Sequence, residues 1–369
     1  MIAKPITGQV RIGLIGAGLI GQLHSMMLRK VADCSDGSAR ITAIADTSAA
    51  AAQTLAARWP GARALLSAEE IINDPEIDAV WICTPTAMHR EACIAAARAG
   101  KHVFCEKPLA MSAADAQAMH RALEAAGVQS QVGLVLRFSP VYTVIRAMVR
   151  EAGAGRLIAI TMRDDQDFPI RGAHPSAWRN DPAVTAGGTL IEHSVHDFDL
   201  MTWMFGAATR VYCRTRNLSG APGVEDFAAS HLEFAGGHQA QHTSVWHRVM
   251  HRPSNRRLEV FCENLFIACD SDSTGPIIVQ RGADNREETI PEQDVMARFS
   301  EILLAERPHL APLKDWFAVG YALEDATFIA GLRGACEIDP GFGEGVRAQR
   351  LVEAAYESAR RGAPVEIKS

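Results

Sequence analysis

The sequence has no apolar run approaching the ~20 residues that a membrane-spanning helix needs. It has no surplus of positive charge. Its 37 lysines and arginines against 43 aspartates and glutamates leave a formal net charge of −6, which argues against the basic stripe of a nucleic-acid binder. The eight cysteines (Cys34, Cys83, Cys93, Cys105, Cys213, Cys262, Cys269 and Cys336) form no C-x-x-C pair, and most lie in apolar runs such as VWICTP and VYCRT. They read as reduced, buried thiols of a cytoplasmic protein. No small-residue cleavage site follows the apolar start MIAKPITGQVRIGLIGAGLIG, so no signal peptide is expected. Internal repeats, low-complexity tracts and a proline-rich linker are also missing. What remains is an ordinary globular composition, 48% apolar and 22% charged. At 369 residues the chain is too long for one ordinary core, and two domains are expected.

The first third alternates strand-like and helix-like stretches. RIGLIGAG, RITAIAD, AVWICTP, HVFCEKP and QSQVGLVL read as strands, separated by helical segments such as GLIGQLHSMMLRKV and SAADAQAMHRALEAAG. This spacing predicts βαβ units and a parallel sheet. After about residue 137 the pattern changes. LIAITMR, TRVYCRTR, FAASHLEF, QAQHTSVW, RLEVFCE, LFIACD and PIIVQ follow one another as a largely antiparallel sheet. The long polar loop DDQDFPIRGAHPSAWRNDPAVTAGG and a helix over 189–205 interrupt it, and helices return near the C-terminus. The expected domains are 1–136 for the cofactor and 137–369 for substrate and oligomerisation, with the last helices free to pack back on the first domain.

Gly16-Ala17-Gly18-Leu19-Ile20-Gly21 fits G-x-G-x-x-G, placed after a strand and at the start of a helix. In that setting Gly16 permits the turn, Gly18 admits a pyrophosphate, Gly21 allows close helix–strand packing, and Leu19 and Ile20 open the helix toward the phosphates. Asp46 ends the second strand and is placed to accept the ribose hydroxyls. The residues after it, Thr47 and Ser48, bring no arginine for a 2′-phosphate, which favours NAD over NADP. Ligands of such sheets bind at the carboxyl ends of strands. That places Thr84, Pro85, Thr86 and His89 of TPTAMH, and Glu106 and Lys107 of EKP, beside the cofactor.

The glycine motif, TPTAMH, Glu106-Lys107-Pro108 and GGTLIEHSVHDFDLMTWMFG occur in that order, joined by RFSP, AWRND and VEAAYESARRGAPV. Over nearly the whole chain this resembles the glucose–fructose oxidoreductase, inositol dehydrogenase and rhizopine-catabolism (Gfo/Idh/MocA) family. The resemblance implies an α/β chain with an N-terminal Rossmann domain and a C-terminal α+β domain on an open, mostly antiparallel sheet. It also implies NAD(P)-dependent oxidation or reduction of a sugar or cyclitol carbinol, and a homodimer or homotetramer formed through the C-terminal sheet. Lys107 would lie near the nicotinamide and the reacting hydroxyl, and the peptide before Pro108 is often cis in the family.

On a helix over 189–205, Glu192, His196, Asp199 and Trp203 share one stripe, while His193 and Asp197 lie on another. Three readings are open. Glu192, His196 and His174 could ligate zinc, although no cysteine pair supports them. The polar groups could form a satisfied buried network. Or His196 could be the acid–base catalyst, because its pKa lies near neutrality. The resemblance favours the third, with no metal. It makes His196 the base and Lys107 the donor to the reacting oxygen. Glu192, where the family commonly has aspartate, would either orient His196 or bind substrate, and Asp199 would be a structural acid. His193 and Asp197 are expected to tolerate substitution better.

For substrate, Arg137, Tyr142, Asp167, Trp178 and Arg179 are the candidates, with Asp165, Arg171 and His174 in the same loop. Polar forks beside an aromatic plate suit a polyhydroxylated ring. Five histidines (His231, His238, His242, His247 and His251) fall on or near strands at irregular spacing, which favours a sheet face or a subunit contact over metal. The reading is therefore an NAD-dependent sugar, glycoside or cyclitol dehydrogenase, with neither nucleic acid nor membrane as a partner. The alternatives are an NADP(H)-dependent keto-sugar reductase and a non-catalytic dinucleotide-sensing regulator.

Overall fold

The structure is a computed structural model. It describes residues 4–169, 176–249, 252, 254–282 and 286–367. Arg171, His174 and His251 lie outside the described residues. The chain forms two compact units: the chain up to Val135 together with Leu303–Val346, and Leu136–Ile302 together with the chain from Arg347.

The first unit alternates strands β1 (Val10–Ile15), β2 (Ala39–Ala45), β3 (Arg63–Leu65), β4 (Ala79–Ile82), β5 (His102–Cys105) and β6 (Ser130–Val132) with helices α1 (Leu19–Cys34), α2 (Ala49–Ala56), α3 (Ala68–Ile72), α4 (His89–Arg98) and α5 (Ala113–Ala126). The strands form one parallel sheet in the order β3-β2-β1-β4-β5-β6. β1, β4 and β5 are short apolar runs buried on both faces, as a helix-covered parallel sheet requires. β3 and α3 escape the hydrophobic pattern because they are only 3 and 5 residues long. The strand order reverses between β1 and β4, which opens the crevice where such sheets take ligands.

The second unit contains α6 (Pro140–Val149), β7 (Leu157–Asp167), α7 (Pro182–Thr185), α8 (Thr189–Glu192), α9 (Ser194–Phe205), β8 (Ala208–Arg216), β9 (Phe227–Phe234), β10 (Gln239–His247), β11 (Asn255–Cys262), β12 (Leu265–Cys269), β13 (Ile277–Arg281) and β14 (Glu287–Ile290). α10 (Glu292–Glu306) leads the chain to α11 (Gly320–Leu332) of the first unit, and α12 (Phe342–Arg361) leads it back to β15 (Val365–Glu366). The open sheet has the order β14-β13-β12-β11-β7-β10-β9-β8-β15. Every pair is antiparallel except β7 with β10. Burial alternates along β9 and β10, so one face of the sheet is covered and carries the core.

Two local expectations change. Asp164–Asp167 belong to β7 and not to a loop, because β10 and β11 pair the strand on both sides. The helix expected over 189–205 is broken at His193, whose φ of −118° separates α8 from α9. Glu192 and His196 therefore do not share one continuous helix.

Candidate active site

In the first unit the glycine loop joins β1 to α1. Gly16 has φ +102°, and a Cβ on Gly21 would stand 2.0 Å from the Gly16 carbonyl oxygen, so the turn admits neither side chain. A Cβ on Gly18 would meet nothing within 4 Å. That glycine lines open space, at the N-terminus of a helix with no side-chain cap. The first N–H groups of α1 are thus available to an anion, and Leu19 beside them is 61% exposed. Asp46 Oδ2 accepts the Ala17 N–H at 2.8 Å and Oδ1 accepts the Ser48 N–H at 2.8 Å, which holds the carboxylate beside the loop. These residues fit a dinucleotide.

At the carboxyl end of β4 the Thr84 hydroxyl oxygen is buried without a hydrogen-bond partner. Thr86 is buried as well. His89 braces this loop. Its ring nitrogens lie 2.9 Å from the Pro108 carbonyl oxygen and 2.8 Å from that of Thr84, and burial lowers its pKa. It ties the Thr84 carbonyl to that of Pro108 in the EKP turn. The Lys107–Pro108 peptide is cis. Glu106, expected at the cofactor, instead turns its carboxylate inward: Oε1 lies 2.9 Å from His24 Nε2, and Oε2 accepts the Lys107 N–H at 3.0 Å. Burial opposes its charge, but the hydrogen bond and charge of His24, with Lys107, hold its pKa below the ordinary carboxylate value.

In the second unit the opening helix is set by Gly188. A Cβ there would fall 1.9 Å from the Glu225 carbonyl oxygen. The Glu225 carboxylate caps α8, accepting the N–H groups of Gly188 and Leu190 at 2.9 Å, and it also accepts the Tyr356 hydroxyl at 2.8 Å. At the other end of α8, Glu192 Oε2 accepts from Arg179 Nε at 2.9 Å. Arg179 also donates to Ser176 and lies 4.4 Å over the Trp178 ring. Trp178, Arg179 and Glu192 thus form one assembly. His196 follows in the first turn of α9, and it is buried.

The remaining ionisable groups of the segment have structural partners. Asp199 takes the Arg137 fork at 2.8 and 2.7 Å, so the guanidinium expected on substrate is committed to this nearly buried pair. Asp197, expected to tolerate change, is fully buried. It accepts from Arg256 Nε at 2.8 Å and lies 3.0 Å from His242 Nε2. Arg256 also reaches Asp272 at 3.0 Å and Asp164 at 3.6 Å. Burial pushes Asp164 up to about 6 against the pull of Arg256. Burial opposes the charge of Asp197 too, but there Arg256 and His242 prevail and its pKa is lowered. Tyr142, expected to line a substrate cleft, is fully buried in the apolar face of α6, and its hydroxyl has no partner. Asp167 is half-buried at the end of β7, where its N–H bonds Ser254. His193 accepts the Trp246 indole N–H at 2.7 Å. The buried-network reading therefore describes Asp197 and Asp199.

A family model described as an oxidoreductase family with an NAD-binding Rossmann fold matches residues 10–134, and the GFO/IDH/MocA C-terminal domain matches residues 142–267. The chain belongs to the Gfo/Idh/MocA family. It is accordingly a dehydrogenase-type oxidoreductase, and its first unit is an NAD-binding Rossmann fold. An inositol 2-dehydrogenase of Rhizobium meliloti (strain 1021) is 29% identical over 97% of this chain and 99% of its own. Among solved structures, a levoglucosan dehydrogenase in complex with NADH and levoglucosan superposes with a TM-score of 0.85 at 22% identity, covering 98% of this chain and 100% of that one. The WlbA dehydrogenase of Bordetella pertussis, in complex with NADH and UDP-GlcNAcA, gives 0.84 at 23%, covering 99% and 100%. These two likenesses are of fold.

Sequence reasoning missed His24, Asp325 and Glu324, and the Arg256 network. One signal for His24 was present: it follows Gly21 by three residues, on the face of α1 that the apolar spacing buries.

Proposed function

We propose that this Gfo/Idh/MocA protein oxidises a carbinol carbon of a sugar, glycoside or cyclitol with NAD. The hydroxyl proton goes to the protein and the C–H hydride would pass to NAD when it is bound, leaving a carbonyl. The observation that carries the reading is the cluster at the carboxyl ends of β1, β4 and β5. There the open glycine loop, the unpartnered Thr84 hydroxyl and the EKP turn crown the switch point of one sheet. The relative named inositol 2-dehydrogenase supports a polyol.

When bound, nicotinamide supplies the hydride acceptor. His196 accepts the hydroxyl proton, a step for which an imidazole is suited. Lys107 donates a hydrogen bond to the reacting oxygen and stabilises the charge that develops on it. Glu192 is a positioning group held by Arg179, and Trp178 offers a flat face to a sugar ring. Asp46 has each oxygen already accepting one N–H and keeps lone pairs for the two ribose hydroxyls. Its charge disfavours a 2′-phosphate, which selects NAD over NADP.

The test is a screen of monosaccharides, glycosides and inositols for NADH absorbance. Turnover is expected with a polyol, falling about 10²- to 10⁴-fold in His196→Ala and comparably in Lys107→Ala, with NADH affinity nearly intact. Undiminished turnover in both variants would sink the assignment. In the same assay Asp46→Ala should relax the preference toward NADP, and an unchanged preference counts against its ribose role.

A further inference from the structure

The covered face of α1 carries a histidine with no exposed surface. His24 Nδ1 lies 2.9 Å from Asp325 Oδ1 on α11, and Nε2 lies 2.9 Å from Glu106 Oε1 at the end of β5. Ionised carboxylates only accept, so between two of them the ring donates from both nitrogens as an imidazolium; burial raises the Asp325 pKa against the pull of His24 and Trp81. Trp81 Nε1 donates to the same Asp325 oxygen at 2.9 Å. Burial works against the ring's charge, but Asp325 leads the groups that outweigh it and hold the His24 pKa well above the ordinary value. Three more titratable groups face the ring, the first being Tyr321 of α11, edge-on with ring centroids 5.6 Å apart. Glu324 is buried with neither carboxyl oxygen partnered, and burial raises its pKa well above the ordinary carboxylate value; burial likewise raises that of the Cys83 thiol. His24, Glu106 and Glu324 bring possible ligand atoms within 4.8 Å of one another. A ring that donates from both nitrogens keeps no lone pair for an ion, so the clamp and a metal at this cluster are mutually exclusive.

The other oxygen of Glu106 accepts the backbone N–H of Lys107. A Cβ on Gly133, the residue after β6, would stand 2.9 Å from the Glu106 carboxyl carbon, so the group is also boxed in from that side. A continuous chain of contacts thus runs from Asp325 through His24 and Glu106 to the Lys107 backbone.

We propose that His24 is a positioning residue for the reaction: as an imidazolium clamped by Asp325 it fixes Glu106, and through Glu106 the turn that presents Lys107. This rests on the reading of Lys107 as a reacting residue. An accurately held group matters because a displacement near 1 Å can cost about 100-fold in rate.

Three measurements on the full chain test it. With ¹⁵N-labelled histidine rings, one residue should keep both ring nitrogens protonated at a pH where an ordinary histidine is neutral, and its signals should vanish in His24→Gln. Wild-type protein in which every ring is neutral at pH 8, or which carries a stoichiometric metal ion, would overturn the clamp. Turnover per NADH-binding site should fall about 10- to 100-fold in His24→Gln, with NADH affinity within about threefold. Asp325→Asn, which keeps a polar contact to the ring, should lose less. A lowered Tm with unchanged turnover per site would show a packing role only and defeat the proposal. Exchange of the Lys107 amide should be faster in Asp325→Asn and His24→Gln than in wild type, and equal rates refute the coupling. That readout needs no substrate, so it decides even if Lys107→Ala retains turnover and the catalytic reading fails separately.

Discussion

His196 and Asp197 adjoin in the chain and have different surroundings. A helical wheel separates them by face. It does not say that the face of Asp197 meets Arg256, 59 residues away, and His242, 45 residues away. Those partners make Asp197 a buried ion-pair centre. Removing it leaves Arg256 with one fewer counter-charge in the interior, a loss of about 3–5 kcal/mol for a broken buried pair. Asp197→Ala should therefore lower stability by that order in urea unfolding, and a loss under about 1 kcal/mol would contradict the network's importance. The sign of the pH dependence follows from its lowered pKa. The stabilisation is present above the unfolded carboxyl value near 4 and is lost as pH falls through the folded value. The gap between wild type and variant should thus narrow in acid. Arg137 and Tyr142 carry the same lesson. Both looked like substrate groups because of where they stand in the sequence, and both are held inside the second unit.

At the scale of elements, two glycines of similar appearance serve opposite needs. Gly18 starts α1 beside open space, and Gly188 starts α8 against the Glu225 backbone. Gly18→Ala should leave thermal stability within about 0.5 kcal/mol of wild type, as for a substitution clear of neighbours. It should nevertheless weaken NADH binding, since the backbone approach is what the position provides. Gly188→Ala forces a backbone shift and should cost about 1–3 kcal/mol. Differential scanning with an NADH titration separates the two. Equal stability losses would mean that one of the local geometries is wrong. A double glycine before a helix permits a close backbone approach, and that much is visible in the sequence. It did not show that the neighbour is Glu225, whose carboxylate replaces the missing side-chain cap. Nor did periodicity reveal the break at His193, because α8 and α9 together keep an apolar pattern that reads as one helix.

At the scale of the molecule, the change of pattern near residue 137 marks a unit boundary, but the first unit is discontinuous and includes Leu303–Val346. α11 supplies Asp325 to His24 and Trp81, and it packs Phe328 with its ring centroid 5.1 Å from that of Trp81. A fragment of residues 1–136 would uncover these aromatics and leave the imidazolium short of a carboxylate. It should unfold without a sharp transition and bind NADH poorly, whereas the same fragment fused to residues 303–346 should regain cooperativity in denaturant. Full cooperativity in the short fragment would refute the need for α11.

Local chemistry in the chain was enough to determine the parallel and antiparallel halves, the glycine loop, the EKP turn and the family. Those signals are short-range: hydrophobic period, turn residues and motifs of a few positions. Which acid neutralises which base was decided only by the tertiary structure. His24 and Asp325 are 301 residues apart, and buried charges take whatever partner the packed elements bring within hydrogen-bond reach.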